Sequence, residues 1–168
     1  MAASPETHVR LGPPLPEPDL RGAVPPWSST TPLFHGTRAA PFAQFDLAHA
    51  GSARDEGFLG RGVYLSTDPN VVRPHLGERR VEATAELHHP LYVAMTRWEE
   101  DKRSIVSTAL GLPAVKGGAE LTAALVRCGY DSVVLDYGQL GYQHREVMVI
   151  NPRQIRLTPP AHPSPALD

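Results

Sequence analysis

Residues 120–135, ELTAALVRCGYDSVVL, read as a helix, a stop and a buried strand in direct succession. Leu121, Ala124, Leu125 and Cys128 recur at helical spacing, and Gly129 follows as a C-terminal stop. Asp131 opens a turn, and Ser132-Val133-Val134-Leu135 continues as a strand with apolar residues on both faces. Outward from this unit, strands outnumber helices. Toward the C-terminus, Glu146-Val147-Met148-Val149-Ile150 reads as a second buried strand and Ile155-Arg156-Leu157 as a last one. Toward the N-terminus, Leu91 to Met95 follow Pro90 as a strand. Val81, Ala83, Ala85 and Leu87 alternate with Glu82, Thr84 and Glu86, which suits a half-buried strand, with a helix as the alternative. Gly62 to Ser66 and Leu33-Phe34-His35 add two short strands bounded by glycine. A helix also fits residues 98–110, and another starts with Asp68 as cap and Pro69 in its first turn, shortened or bent by Pro74. Helices fall irregularly among dominant strands, so the fold class is α+β rather than a βαβ repeat.

The chain has 168 residues, 18 of them proline. Seven prolines lie in residues 1–30 and four in residues 159–165, which divides the chain in three. Residues 1–30 are expected to form a disordered leader, 31–157 the folded domain and 158–168 a disordered tail. A docking or secretion arm is the functional alternative for the leader, and Trp27 marks where it meets the domain. The middle carries 14 basic and 14 acidic residues, so no basic field advertises nucleic-acid binding. The single cysteine, Cys128, excludes an internal disulfide and a four-cysteine zinc site. No metal cluster is expected, since the adjacent His88 and His89 would face opposite ways on a strand. No apolar run approaches the roughly 20 residues of a membrane span, nor does the first stretch resemble a secretory signal. The expected site of action is therefore the cytoplasm, without membrane association.

Three segments carry side chains suited to chemistry. In Leu33-Phe34-His35-Gly36-Thr37-Arg38, an imidazole and a hydroxyl flank a glycine that leaves the backbone open to a ligand, although a structural histidine is the commoner outcome. In Gly60-Arg61-Gly62-Val63-Tyr64-Leu65-Ser66, glycines permit close backbone approach and Tyr64 offers a flat face, with a core tyrosine on a hairpin as the alternative. In Gln143-His144-Arg145-Glu146-Val147-Met148-Val149-Ile150-Asn151-Pro152, a loop leads into a carboxylate at a strand start. Taken alone, Glu146 reads as a rim residue paired with Arg145, and His144 as a loop residue rather than a base. Gly129 to Leu135 is structural and takes no catalytic role.

His35-Gly36-Thr37, Gly62 to Ser66, Gly129 to Val134 and Glu146 to Ile155, four motifs in this order, resemble the ADP-ribosyltransferase superfamily, in particular its His-Tyr-Glu branch of diphtheria-type toxins, poly(ADP-ribose) polymerases and small bacterial proteins. The resemblance spans residues 32–157 and implies a strand-rich split β-sandwich with a few flanking helices. It implies a pentosyl-transferring glycosyltransferase that cleaves NAD, its co-substrate, at the nicotinamide–ribose bond. His35 and Thr37 would hold the adenosine ribose, and the Gly36 backbone the nicotinamide carboxamide. Tyr64 would stack on the nicotinamide ring, a contact favoured by the ring's cationic charge. Glu146 would bond the 2′-hydroxyl of the nicotinamide ribose and stabilise the positive charge that develops as the bond breaks.

Three positions depart from the family pattern. A second aromatic eleven residues after the tyrosine is replaced by His75, which implies either a neutral imidazole or weaker binding at low pH; the serine of polymerase-type members is replaced by Val72; and the Glu or Gln that the arginine-modifying branch carries two residues before its glutamate is replaced by His144, so no acceptor residue type is assigned. The expected activity is mono-ADP-ribosylation of a macromolecular acceptor, a protein in preference to nucleic acid, in a toxin, effector or regulator. An NAD glycohydrolase and an inactive NAD- or ADP-ribose-binding module are the competing functions.

Overall fold

The computed structural model describes residues 26–46, 48, 57–70, 79–115 and 117–159. In chain order the elements are β1 (Leu33–Thr37), β2 (Val63–Ser66), β3 (Arg79–Ala85), β4 (Pro90–Ala94), α1 (Lys102–Ala109), α2 (Gly118–Arg127), β5 (Ser132–Asp136), β6 (Arg145–Val149) and β7 (Ile155–Leu157). The seven strands form one mixed sheet in the order β4-β5-β6-β2-β1-β3-β7. Among the described strands only β4 and β5 run parallel, as the crossover through α1 and α2 requires. The chain is thus α+β and strand-rich, as its pattern of short runs indicates.

Local chemistry explains the elements. In β3, Ala83 and Ala85 are buried while Glu82 between β1 and solvent stays exposed, so the alternation does mark a strand. The helix expected over residues 98–110 is shorter, because Glu100 turns back to accept hydrogen bonds from the Thr96 and Arg97 amides at 2.8 and 3.0 Å. Asp101 then caps α1, accepting from Arg103 N and from the Ser104 hydroxyl. Helix α2 ends in a Schellman motif: Tyr130 N donates to Leu125 O, Gly129 N to Val126 O, and Gly129 takes a φ of 85°. Cys128, the last of the four residues at helical spacing, is the C-cap: its amide still donates to Ala124 O, and its side chain is exposed.

The sheet separates two apolar layers. Helix residues Val106, Leu121, Ala124 and Leu125 pack with Leu91, Val93, Val133, Leu135 and Met148 on one side. Leu33, Leu65, Ala83, Val134, Val147 and Ile155 form the other, against which Trp27 and Phe45 pack. Trp27 is fastened there: its amide donates to the Tyr92 hydroxyl at 2.7 Å and its indole N–H to Ala85 O at 2.9 Å. Most of the expected leader and tail, and the segment 71–78 that holds Val72, Pro74, His75 and most of the helix expected after Asp68-Pro69, lie outside the described residues. Among the described residues no helix is long and apolar enough to cross a membrane.

Candidate functional site

The sheet order makes neighbours of three segments far apart in sequence. His35 lies on β1, Tyr64 on β2 and Glu146 on β6, and these are consecutive strands. Register fixes their faces. Phe34 pairs with Ser66, and Ser66 with Glu146, so strand alternation puts Gly36, Tyr64 and Glu146 on one face of the sheet. This is the face on which α1 and α2 pack. His35 falls on the other face, edge-on to Phe45 at 5.1 Å between ring centroids. Its imidazole is nevertheless coupled to Tyr64, donating from Nδ1 to the Tyr64 carbonyl at 2.7 Å. Thr37 closes β1 with a local turn, its hydroxyl oxygen accepting from Ala39 N at 3.1 Å.

Tyr64 is anchored at both ends of its hydroxyl. It donates to Gly60 O at 2.6 Å and accepts from Leu59 N at 2.9 Å. The glycines of this motif serve that geometry. Gly60 has a φ of 114°, and a Cβ at Gly62 would lie 2.4 Å from the Val149 carbonyl oxygen and 2.4 Å from Met148 Sδ. The close backbone approach that the glycines suggested is therefore made, in part, by β6.

Glu146 is not the partner of Arg145. Successive strand residues point to opposite faces, and Arg145 pairs instead with Asp136 on β5 at 3.1 Å, both largely buried. The partners of Glu146 come from elsewhere. Lys102 Nζ, on the first residue of α1, donates to Glu146 Oε2 at 2.5 Å. The Tyr137 hydroxyl donates to the same oxygen at 3.0 Å. Among the described residues, Oε1 accepts no hydrogen bond. Burial opposes the charge of Lys102, but the attraction and hydrogen bond of Glu146 outweigh it, so its pKa lies above the ordinary 10.5. Burial and the same carboxylate push the Tyr137 phenol above its ordinary 10.0.

Tyr137 belongs to a chain of ring contacts. Tyr137 stacks on His144 at 4.3 Å, Trp98 tilts toward Tyr137 at 6.2 Å, and Tyr142 meets Trp98 edge-on at 5.2 Å. Trp98 is 60% exposed and Tyr142 56%. Burial lowers the His144 pKa from 6.5, despite Asp68, Glu146 and Asp136 pulling the other way.

Lys102 and Tyr137 escaped sequence reasoning because neither is near Glu146 in a motif. One signal was present: Lys102 is one of two lysines in a chain with 14 arginines. A shallow depression lies past the other end of β6, lined in part by His88, His89, Tyr130, Asp131 and Gln154. Its carboxylate is occupied structurally, since Asp131 accepts from His88 N, His89 N, the Ser132 hydroxyl and Gln154 Nε2. Comparisons with models of known families, with curated proteins and with solved structures find no match to the chain.

Proposed function

We propose that this chain is a mono-ADP-ribosyltransferase of the His-Tyr-Glu type, and that its sheet is a form of the split β-sandwich of that superfamily. The observation that carries the reading is the adjacency of β1, β2 and β6, with Tyr64 and Glu146 on one face and His35 hydrogen-bonded to the Tyr64 backbone. A helical or local pattern would not assemble those three residue types from positions 35, 64 and 146.

The chemistry asks for a fixed negative charge beside a sugar that becomes cationic. Glu146 supplies it, accepting the 2′-hydroxyl of the nicotinamide ribose. As the bond from ribose C1′ to the nicotinamide nitrogen breaks, its electron pair leaves with nicotinamide, which becomes neutral. The acceptor nucleophile then attacks C1′ and gives up its proton to base or solvent. Tyr64 offers its ring to the nicotinamide, and its tethered hydroxyl keeps that ring from swinging away. Gly36 offers backbone N–H and C=O, and His35 and Thr37 support the adenosine ribose. The neutral balance of the domain favours a protein acceptor over nucleic acid.

The test uses NAD labelled in its ADP-ribose portion, with and without a cell lysate. Label on lysate protein supports transfer, and free ADP-ribose alone would make the chain a glycohydrolase. Absence of nicotinamide release in both conditions would leave only a binding module.

A further inference from the structure

We propose that Lys102 and Tyr137 are positioning residues for Glu146: they hold its Oε2 between them, so that the carboxylate keeps one orientation and presents Oε1 to the reacting ribose. This rests on the transferase reading given above.

Four observations converge on it. Two donors from separate elements, the start of α1 and the turn after β5, meet on one oxygen at 2.5 and 3.0 Å, while Oε1 receives none from the described residues. A glutamate side chain that is free to rotate would have to be ordered at the moment of reaction, and two fixed donors remove that requirement. Second, Tyr137 is itself clamped. Its ring stacks on His144, its amide donates to His144 O at 3.1 Å, and its carbonyl accepts from Leu140 N and Tyr142 N. The hydroxyl is thereby aimed by a rigid turn. Third, Lys102 occupies the first turn of α1, where a cation opposes the helix dipole and where no acidic residue is present. Helix stability gives no reason for a lysine there, whereas the ion pair with Glu146 does. Fourth, the ammonium lies 5.9 Å from the Tyr137 ring centroid, so the three groups form one unit.

An ammonium beside the carboxylate also dims its field, so geometry and charge make opposite forecasts. Under the positioning role, Lys102→Met lowers kcat for NAD cleavage by roughly 10- to 100-fold and leaves the KM for NAD within about 3-fold. Lys102→Arg, which keeps the charge with a different donor geometry, recovers part of the loss. Tyr137→Phe, which removes one hydroxyl, shows a smaller fall in kcat and serves as the deciding variant should Lys102→Met not fold. A faster Lys102→Met enzyme would mean that the lysine masks Glu146, and would overturn the assignment. So would an unchanged kcat, or a loss expressed mainly in KM. If Glu146→Gln abolishes turnover while Lys102→Met and Tyr137→Phe do not alter it, the positioning role alone fails. A wild-type chain that never releases nicotinamide overturns the transferase reading and this proposal together.

Discussion

At the residue scale, Tyr64 carries two separable tasks. Its ring is the proposed nicotinamide contact, and its hydroxyl ties down residues 59 and 60. Tyr64→Ala removes both, and the KM for NAD should rise at least roughly tenfold through lost stacking. Tyr64→Phe keeps the ring but loses its tether, so its KM should rise less than that of Tyr64→Ala. Equal losses in the two variants would place the ring outside the pocket. His144 gives a second prediction. Its folded pKa is depressed below 6.5 while the unfolded chain keeps the ordinary value, so the unfolded state binds more protons in that window. Stability should therefore rise with pH from the folded pKa up to about 6.5, and His144→Gln should flatten that slope in thermal melts across pH 5–8. The types at positions 35, 64 and 146 were legible because each sits in a short motif. The partners of Glu146 were not, because Lys102 lies 44 residues away and meets it only through the fold.

At the element scale, the loop and strand around Gly62 connect fold to site. A methyl group at Gly62 would press on the Val149 carbonyl of β6, the strand that carries Glu146. Gly62→Ala should therefore cost about 1–3 kcal/mol in denaturant unfolding. It should also lower NAD turnover by shifting β2 against β6, whereas a neutral change would show that the two strands can part without consequence. Strands β3, β5, β6 and β7 were readable from alternation and apolar runs, and Gly129 from its place after the α2 pattern. The start of α1 was misread because side-chain capping by Glu100 and Asp101 overrides the propensity of residues 98–101.

At the scale of the whole molecule, the strand order itself was illegible. Alternation tells which residues share a face, but not that β6 inserts between β5 and β2 or that β1 joins β2 to β3. Those pairings are long-range and arise from matching buried surfaces on both sides of the sheet. Asp131 pins this arrangement by joining the turn before β4, the start of β5 and the turn before β7. Burial raises the energy of its charge, but the Ser132, His88, Gln154 and His89 hydrogen bonds prevail, and its pKa falls below the ordinary 3.8. The unfolded chain thus binds more protons than the folded one in that range. The contribution of Asp131 is present above pH 3.8 and is lost as pH falls through the folded pKa. Asp131→Ala should destabilise the fold by about 1–3 kcal/mol at neutral pH, with less difference from wild type in acid.

In the proposed enzyme, β6 delivers the catalytic carboxylate of Glu146 to the face of the sheet that carries Tyr64. Nicotinamide release from NAD, measured side by side for the wild-type chain and for folded Glu146→Gln, tests it most directly. Wild type should release nicotinamide measurably, and release should fall roughly 100-fold or more in the variant, which keeps the size and hydrogen bonding of the side chain but not its charge. Release at equal rates from both proteins, or from neither, would contradict it.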